Sequence, residues 1–130
     1  MPGIATLSGV ALDCPDPMSL ARFYSELSGW SLHDRSDESW AQLDTGGGWT
    51  LAFQQVTDYR PPAWPGQDVP QQFHLDFDVD DLDAGAGKVR ELGGEAGEKM
   101  PVPSMGWFAH CTDPSGNEFG LWQNDTSASM

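Results

Sequence analysis

The chain has 130 residues and a formal net charge of −14, and 38% of its residues are hydrophobic. That size suits one compact domain, or two small halves that share one core. The acidic balance argues against nucleic acid and against anionic membrane surfaces, because both need clustered Lys and Arg. No run approaches the roughly 20 apolar residues of a membrane helix, and the N-terminus lacks the basic start of a signal peptide. We therefore expect a cytoplasmic protein.

The first half of the chain predicts a strand, a helix and three further strands. The first strand lies in "TLSGVALD" at residues 6–13. In the following "CPDPMSLARFYSELSG", Asp16 suits the helix N-cap, Pro17 suits the first turn, and Gly29 suits the helix end. Apolar residues between them recur at the spacing of one buried helix face. The further strands are predicted near residues 30–34, 40–44 and 49–55.

The same order of elements returns after a proline-rich connector at residues 57–70. There, a strand is predicted at 72–79, a helix at about 81–92, and strands near 95–100, 105–112 and 118–123. The motif "LDCPDP" starts at residue 12 and "FDVDDL" starts 65 residues later. The repeat predicts two tandem modules within one structural domain. The predicted boundaries are 1–56 for the first module, 57–70 for the connector, 71–123 for the second module and 124–130 for a flexible tail.

Three stretches resemble the vicinal oxygen chelate superfamily, the group of glyoxalase I, extradiol dioxygenases and bleomycin-resistance proteins. They are "FYSELSGW", "HLDFDVDDLDAG" and "DPSGNEFGLWQ". The chain is most similar in character to short bacterial glyoxalase-like proteins. The resemblance implies an α+β fold, in which two tandem βαβββ modules form an open, cup-shaped mixed sheet with the helices outside. It also implies a ligand inside the cup and assembly as a homodimer.

The resemblance places the superfamily's four metal-ligand positions on Gly9, Ala52, His74 and Gly120. Of these residues, His74 alone has a side-chain donor atom. A lone imidazole does not hold a divalent ion usefully. We therefore expect no metal at the usual site and no other cofactor.

A non-standard metal site around His74 remains an alternative. Strand alternation puts His74 and Asp76 on one face, and a His with a carboxylate occurs in some iron sites. His110 could supply a second imidazole, and Glu118 could reach inward from the last strand. The competing interpretation is a histidine held by hydrogen bonds beside solvated acids.

The same alternation predicts which side chains line the cup. They are Gly9, Ala11, Thr50, Ala52, Gln54, His74, Asp76, Glu118, Gly120 and Trp122. The small residues among them are expected to leave room for an organic molecule, with Trp122 as a stacking wall. Trp107 or Trp64 could close the cup from a loop. The predicted ligand-binding residues are Gln54, His74, Asp76, Trp107, Glu118 and Trp122.

Two functions of different classes fit these residues. The first is metal-free binding of a small neutral or cationic organic molecule, which the negative charge favours. The second is a lyase, isomerase or dioxygenase in which His74 acts as acid and base, since its reference pKa of about 6.5 suits proton transfer near neutrality. The two cysteines, Cys14 and Cys111, fit no zinc spacing and are expected to be reduced thiols.

Overall fold

The computed structural model describes residues 3–63, 66–71 and 73–124. Contacts divide the chain into two compact units, Met1–Tyr59 and Arg60–Met130, and the division falls inside the predicted connector. The first unit contains β1 (Gly9–Cys14), α1 (Pro17–Ser28), β2 (Ser31–Leu32), β3 (Trp40–Asp44) and β4 (Thr50–Gln55). The second contains β5 (Leu75–Asp78), α2 (Leu82–Glu91), β6 (Glu95–Ala96), β7 (Met100–Val102), β8 (Gly106–Thr112) and β9 (Glu118–Asn124). The predicted α+β fold of two mixed sheets, each from a βαβββ-like module, is confirmed.

Helix α1 begins and ends where the sequence predicts. The Asp16 carboxylate accepts a hydrogen bond from the Ser19 backbone N–H at 3.2 Å, and Pro17 is the first helical residue. Gly29 ends the helix in the left-handed conformation at φ 82°, and its N–H donates to the Ser25 carbonyl at 2.7 Å. Glycine adopts this conformation without steric cost, which explains the sharp stop.

The first sheet has the strand order β1-β4-β3-β2, with β1 parallel to β4 and the other pairs antiparallel. The Tyr24 ring of α1 stacks on Phe53 of β4 with centroids 5.7 Å apart, so Phe53 and its face neighbour Leu51 point toward the helix. The alternate residues lie on the opposite, helix-free face. On the three longer strands these are Gly9, Ala11, Asp13, Trp40, Gln42, Asp44, Thr50, Ala52 and Gln54.

The second sheet has the strand order β5-β9-β8-β6, and β7 also pairs with β8. The predicted strand at 95–100 is therefore two short strands. Gly97 leaves β6 with its N–H donating to the His110 carbonyl at 2.8 Å, and Pro101 lies within β7. Proline has no N–H for a ladder, so it suits a short strand at a sheet edge.

Helix α2 covers one face of the second sheet. A Cβ on Gly85 of α2 would lie 3.4 Å from Leu121, so Leu121 and Phe119, both fully buried, point toward the helix. The strand predicted at 72–79 begins only at Leu75, and Phe73 before it is 62% exposed. The helix-free face of this sheet carries Asp76, Asp78, Phe108, His110, Thr112, Glu118, Gly120 and Trp122.

Cys14 and Cys111 are buried thiols, and neither forms a disulfide, as expected. Burial raises the pKa of the Cys111 thiol to about 11, and the nearby Arg90 opposes the shift. None of the helices in the described ranges is long and apolar enough to cross a membrane.

Candidate functional site

Two histidine–carboxylate pairs lie on the helix-free face of the second sheet. His74 Nε2 is 3.2 Å from Asp76 Oδ1, and both side chains are about half exposed. His110 Nε2 contacts Glu118 Oε2, and the Glu118 side chain is only 7% exposed. The sequence placed His74 inside a strand, whereas β5 begins one residue later, and its imidazole nonetheless reaches the Asp76 carboxylate. This face therefore places two imidazoles next to two carboxylates.

An aromatic pair lies on the same face. Phe108 of β8 is directly opposite Trp122 of β9, and their ring centroids are 4.7 Å apart at an interplanar angle of 52°. Both rings are half-buried. Tilted pairs at this separation are favourable aromatic contacts, and the exposed parts of the rings offer apolar surface to a ligand.

The space above Gly120 is filled, contrary to the expectation that this small residue leaves room for a ligand. A Cβ built on Gly120 would lie 2.3 Å from Asp76 Oδ1 and 2.7 Å from Phe108 Cε1. Both distances are well inside van der Waals contact. The Asp76 carboxylate and the Phe108 ring therefore occupy that space.

The helix-free face of the first sheet is amide-rich around Gln54 and also carries the carboxylates of Asp13 and Asp44. Gln54 Nε2 donates to Asp13 Oδ1 at 3.4 Å, and Trp40 Nε1 donates to Gln42 Oε1 at 3.0 Å. Trp40 is 39% exposed on this face. A Cβ on Gly9 would lie 3.0 Å from Thr50 Oγ1, so this glycine also has little free space above it.

Trp107 lies within β8 rather than in a loop. It is opposite Gln123, so it does not share the face of Trp122. Instead Lys99 Nζ lies 4.9 Å from the centroid of the Trp107 ring. Its placement gives no support to a role in closing a site beside Trp122. Trp64, the other predicted closing residue, is outside the described residues.

A family model described as "Glyoxalase-like domain" matches residues 9–122. The chain belongs to this family. The anthracycline biosynthesis protein DnrV of Streptomyces peucetius is 32% identical over 128 residues, which cover 86% of this chain and 44% of DnrV. The glyoxalase-like chain thus spans less than half the length of that curated relative.

Solved structures share the fold of this glyoxalase-like protein. A glyoxalase/bleomycin resistance protein/dioxygenase family enzyme from Burkholderia phytofirmans PsJN superposes with a TM-score of 0.74 at 19% identity, covering 92% of this chain and 99% of the other. TnmS3, an antibiotic binding protein from Streptomyces sp. CB03234, superposes with a TM-score of 0.65 at 22% identity, covering 96% and 100%. The resemblance to the vicinal oxygen chelate superfamily is confirmed.

The side chains of this glyoxalase-like protein do not fit the superfamily's metal ion. Gly9, Ala52 and Gly120 have no side-chain donor atom, and His74 contacts the Asp76 carboxylate. Across the described residues, no three His, Cys, Asp or Glu side chains gather in a group that could hold a metal. The alternative metal site, with His110 or Glu118 beside His74, stays a prediction from the sequence.

Phe108 is the residue that sequence reasoning missed on this face. The signal was present in "GWFAHCT", because Ala109 and Cys111 are apolar core positions and alternation places Phe108 and His110 on the other face. The pairing of Phe108 with Trp122 needed the register of β8 against β9, which the sequence does not state.

Proposed function

We propose that this glyoxalase-like protein binds a small neutral or cationic aromatic molecule without a metal ion. The ligand would lie against the helix-free face of the second sheet. The observation that carries the proposal is the Phe108–Trp122 pair on the same face as the carboxylates of Asp76 and Glu118. Aromatic rings beside carboxylates attract flat molecules, and cations among them most strongly.

Charge supports a preference against anions. The chain has 20 acidic and six basic residues, so its field repels negative ligands. Neither Lys nor Arg is among the residues on the helix-free face of the second sheet. An anionic substrate would meet Asp76 and Glu118 without a compensating cation there.

The relatives support a small-molecule role. TnmS3 is an antibiotic binding protein of the same fold, and DnrV is an anthracycline biosynthesis protein that shares sequence with this chain. We infer that this chain likewise binds an organic compound, and that His74, Asp76, Glu118 and Trp122 contribute to its site. A ligand-binding role for Gln54, on the first sheet, stays a separate prediction from the sequence.

The test uses three probes of matched shape: N-methylquinolinium, quinoline and a quinoline carboxylate. We expect the cation to raise the melting temperature most and the carboxylate least, because a ligand that binds the native state stabilises it. Glu118→Gln should reduce the advantage of the cation, and added salt should do the same. The strongest stabilisation by the carboxylate would contradict the proposal.

An enzymatic function is the second candidate, and the His74–Asp76 pair favours it. A carboxylate 3.2 Å from an imidazole can orient its ring for acid–base catalysis. Mass spectrometry of a bound compound before and after incubation separates the two functions. Recovery of the unchanged compound supports binding, whereas conversion that is lost in His74→Gln supports a lyase, isomerase or related enzyme.

We also propose that the protein is a homodimer. Strands β1 and β5 each end their sheet in the described part of the chain. Edge strands expose unpaired N–H and C=O groups, which gives a physical reason for a second copy to pair there. Light scattering across micromolar concentrations should give twice the chain mass, and a constant single-chain mass would contradict a dimer.

A further inference from the structure

The helix-free face of the second sheet contains a three-residue arrangement centred on Gly120. Phe108 Cε1 and Asp76 Oδ1 approach the position of a Cβ on Gly120 to 2.7 Å and 2.3 Å. Gly120 itself is buried. Since every residue other than glycine has a Cβ, any substitution at this position must displace the ring, the carboxylate or both. Gly120 thus leaves the space in which the edge of the Phe108 ring lies, and we call this space the seat of the ring.

The Phe108 ring lies at an angle to the Trp122 ring, and the two rings form an aromatic corner. The two rings are tilted by 52° rather than parallel, with centroids 4.7 Å apart. The Asp76 side chain, which meets the same seat, is 48% exposed and therefore accessible to a ligand. An aromatic corner next to an accessible carboxylate matches the shape and charge of a flat aromatic cation.

We infer that Phe108 is a specificity-determining residue of this face and that Gly120 acts through it by seating its ring. The inference rests on the proposed binding function and extends it to a residue pair and a ligand class, the flat aromatic cation. Phe108 and Trp122 supply the aromatic surface, and Asp76 supplies the negative charge. Removal of the Phe108 ring should weaken binding of such a cation by about 2- to 30-fold, the range expected for one cation–π contact.

The first sheet supplies a matched control. Trp40 is opposite Gln54 in the same register in which Phe108 is opposite Trp122, and it too lies on a helix-free face. Its indole N–H donates to the Gln42 side chain at 3.0 Å, and its backbone N–H donates to the Asp37 carboxylate at 3.1 Å. Trp40→Leu therefore removes an equivalent aromatic side chain from the other sheet.

Calorimetric titration with N-methylquinolinium compares the wild type with Phe108→Leu, Phe108→Tyr and Trp40→Leu. Phe108→Leu should show the predicted loss of affinity, Phe108→Tyr should stay within about 2-fold of the wild type because it keeps the ring, and Trp40→Leu should resemble the wild type. Melting curves establish that each variant is folded. Equal losses in Phe108→Leu and Trp40→Leu, or none in Phe108→Leu, would overturn the inference.

The seat is tested with Gly120→Ala and with Gly87→Ala, whose Cβ meets nothing within 4 Å. Gly120→Ala should weaken N-methylquinolinium binding at least as much as Phe108→Leu does, because its Cβ meets both the Phe108 ring and the Asp76 carboxylate. In the Phe108→Leu background its further effect should be smaller than in the wild type, because only the contact with Asp76 remains. Gly87→Ala should leave binding unchanged. Binding that responds to Trp122→Ala but not to position 108 or 120 overturns this inference and leaves the proposed function standing. Failure of the wild type to bind any of the three quinoline probes overturns both.

Discussion

The helix-free faces of the two sheets differ in chemistry, although their equivalent strands pair in the same register. In the first sheet Trp40 lies opposite Gln54, and in the second Phe108 lies opposite Trp122. The first face has amide hydrogen bonds and small residues, whereas the second has two histidine–carboxylate pairs and an aromatic pair.

The helix-facing sides of the sheets remain alike. Leu51 and Phe53 of β4 correspond to Phe119 and Leu121 of β9, and all four are fully buried. Packing against a helix restricts these positions to large apolar side chains, because interiors are close-packed. The other faces are free of that restriction, so the repeated module can keep its fold while the two faces acquire different polar and aromatic contacts.

The largest effect should come from substitutions in the helix-packed core of each sheet. Phe53→Ala and Phe119→Ala should each lower the free energy of unfolding by about 3–5 kcal/mol, since each leaves a cavity as well as losing buried apolar area. Gln54→Ala, on the exposed side of β4, should cost less than about 0.5 kcal/mol. Urea unfolding followed by tryptophan fluorescence measures all three. A cost below about 1 kcal/mol for either phenylalanine would show that the two cores are not equivalent.

The second core also contains a titratable group, because Cys111 of β8 corresponds in register to Leu43 of β3. Burial raises the pKa of Cys111 from its usual 9.0 to about 11, so the native state holds the thiol proton more tightly than the unfolded chain. The resulting stability is present below about pH 9 and is lost as the pH rises toward 11, by up to about 2–3 kcal/mol.

Cys111→Ala isolates this effect from other groups that titrate at high pH. The difference in unfolding free energy between wild type and variant should be constant below about pH 8 and shrink between pH 9 and 11. A difference that stays constant across that interval would mean that the thiol is not desolvated. Leu43→Ala provides the matched non-titrating control in the first sheet.

Loss of a polar contact should lower the free energy of unfolding more on the helix-free face of the second sheet than on that of the first. His110→Ala removes the partner of the nearly buried Glu118 carboxylate, which should cost about 1–3 kcal/mol. Gln42→Ala, its register equivalent, removes the acceptor of an exposed indole N–H and should cost well under about 1 kcal/mol. Thermal unfolding measures both. Adding Glu118→Gln to His110→Ala should recover part of the loss, and equal costs for the two single variants would contradict the comparison.

The smallest effect should be that of added metal. His74 is the one donor left at the superfamily's ligand positions, and it lies in the second unit. Micromolar Zn²⁺, Ni²⁺, Mn²⁺ or Fe²⁺ should therefore leave the melting temperature unchanged, because a tightly bound ion would raise it. One metal ion per purified chain that disappears in His74→Ala would overturn this expectation.

Much of the local structure could be predicted because its causes are local. The Asp16 cap, the Gly29 stop and the strands at β3, β4 and β9 follow from neighbouring residues and from alternation. Two predicted strand limits were wrong. Phe73 lies outside β5 and is exposed, and the strand predicted at 95–100 is divided into β6 and β7.

The amino-acid sequence alone determined the family, the duplicated module, the acidic charge and the absence of donor atoms at three metal-ligand positions. These properties depend on residue identity and on short-range order. The tertiary structure decided which side chains meet: Phe108 with Gly120, and His110 with Glu118. Those contacts join β8 to β9, and the Asp76 contact with Gly120 joins β5 to a strand about 40 residues later. Only strand pairing fixes such neighbours, because a shift of one residue in register would send every side chain to the opposite face.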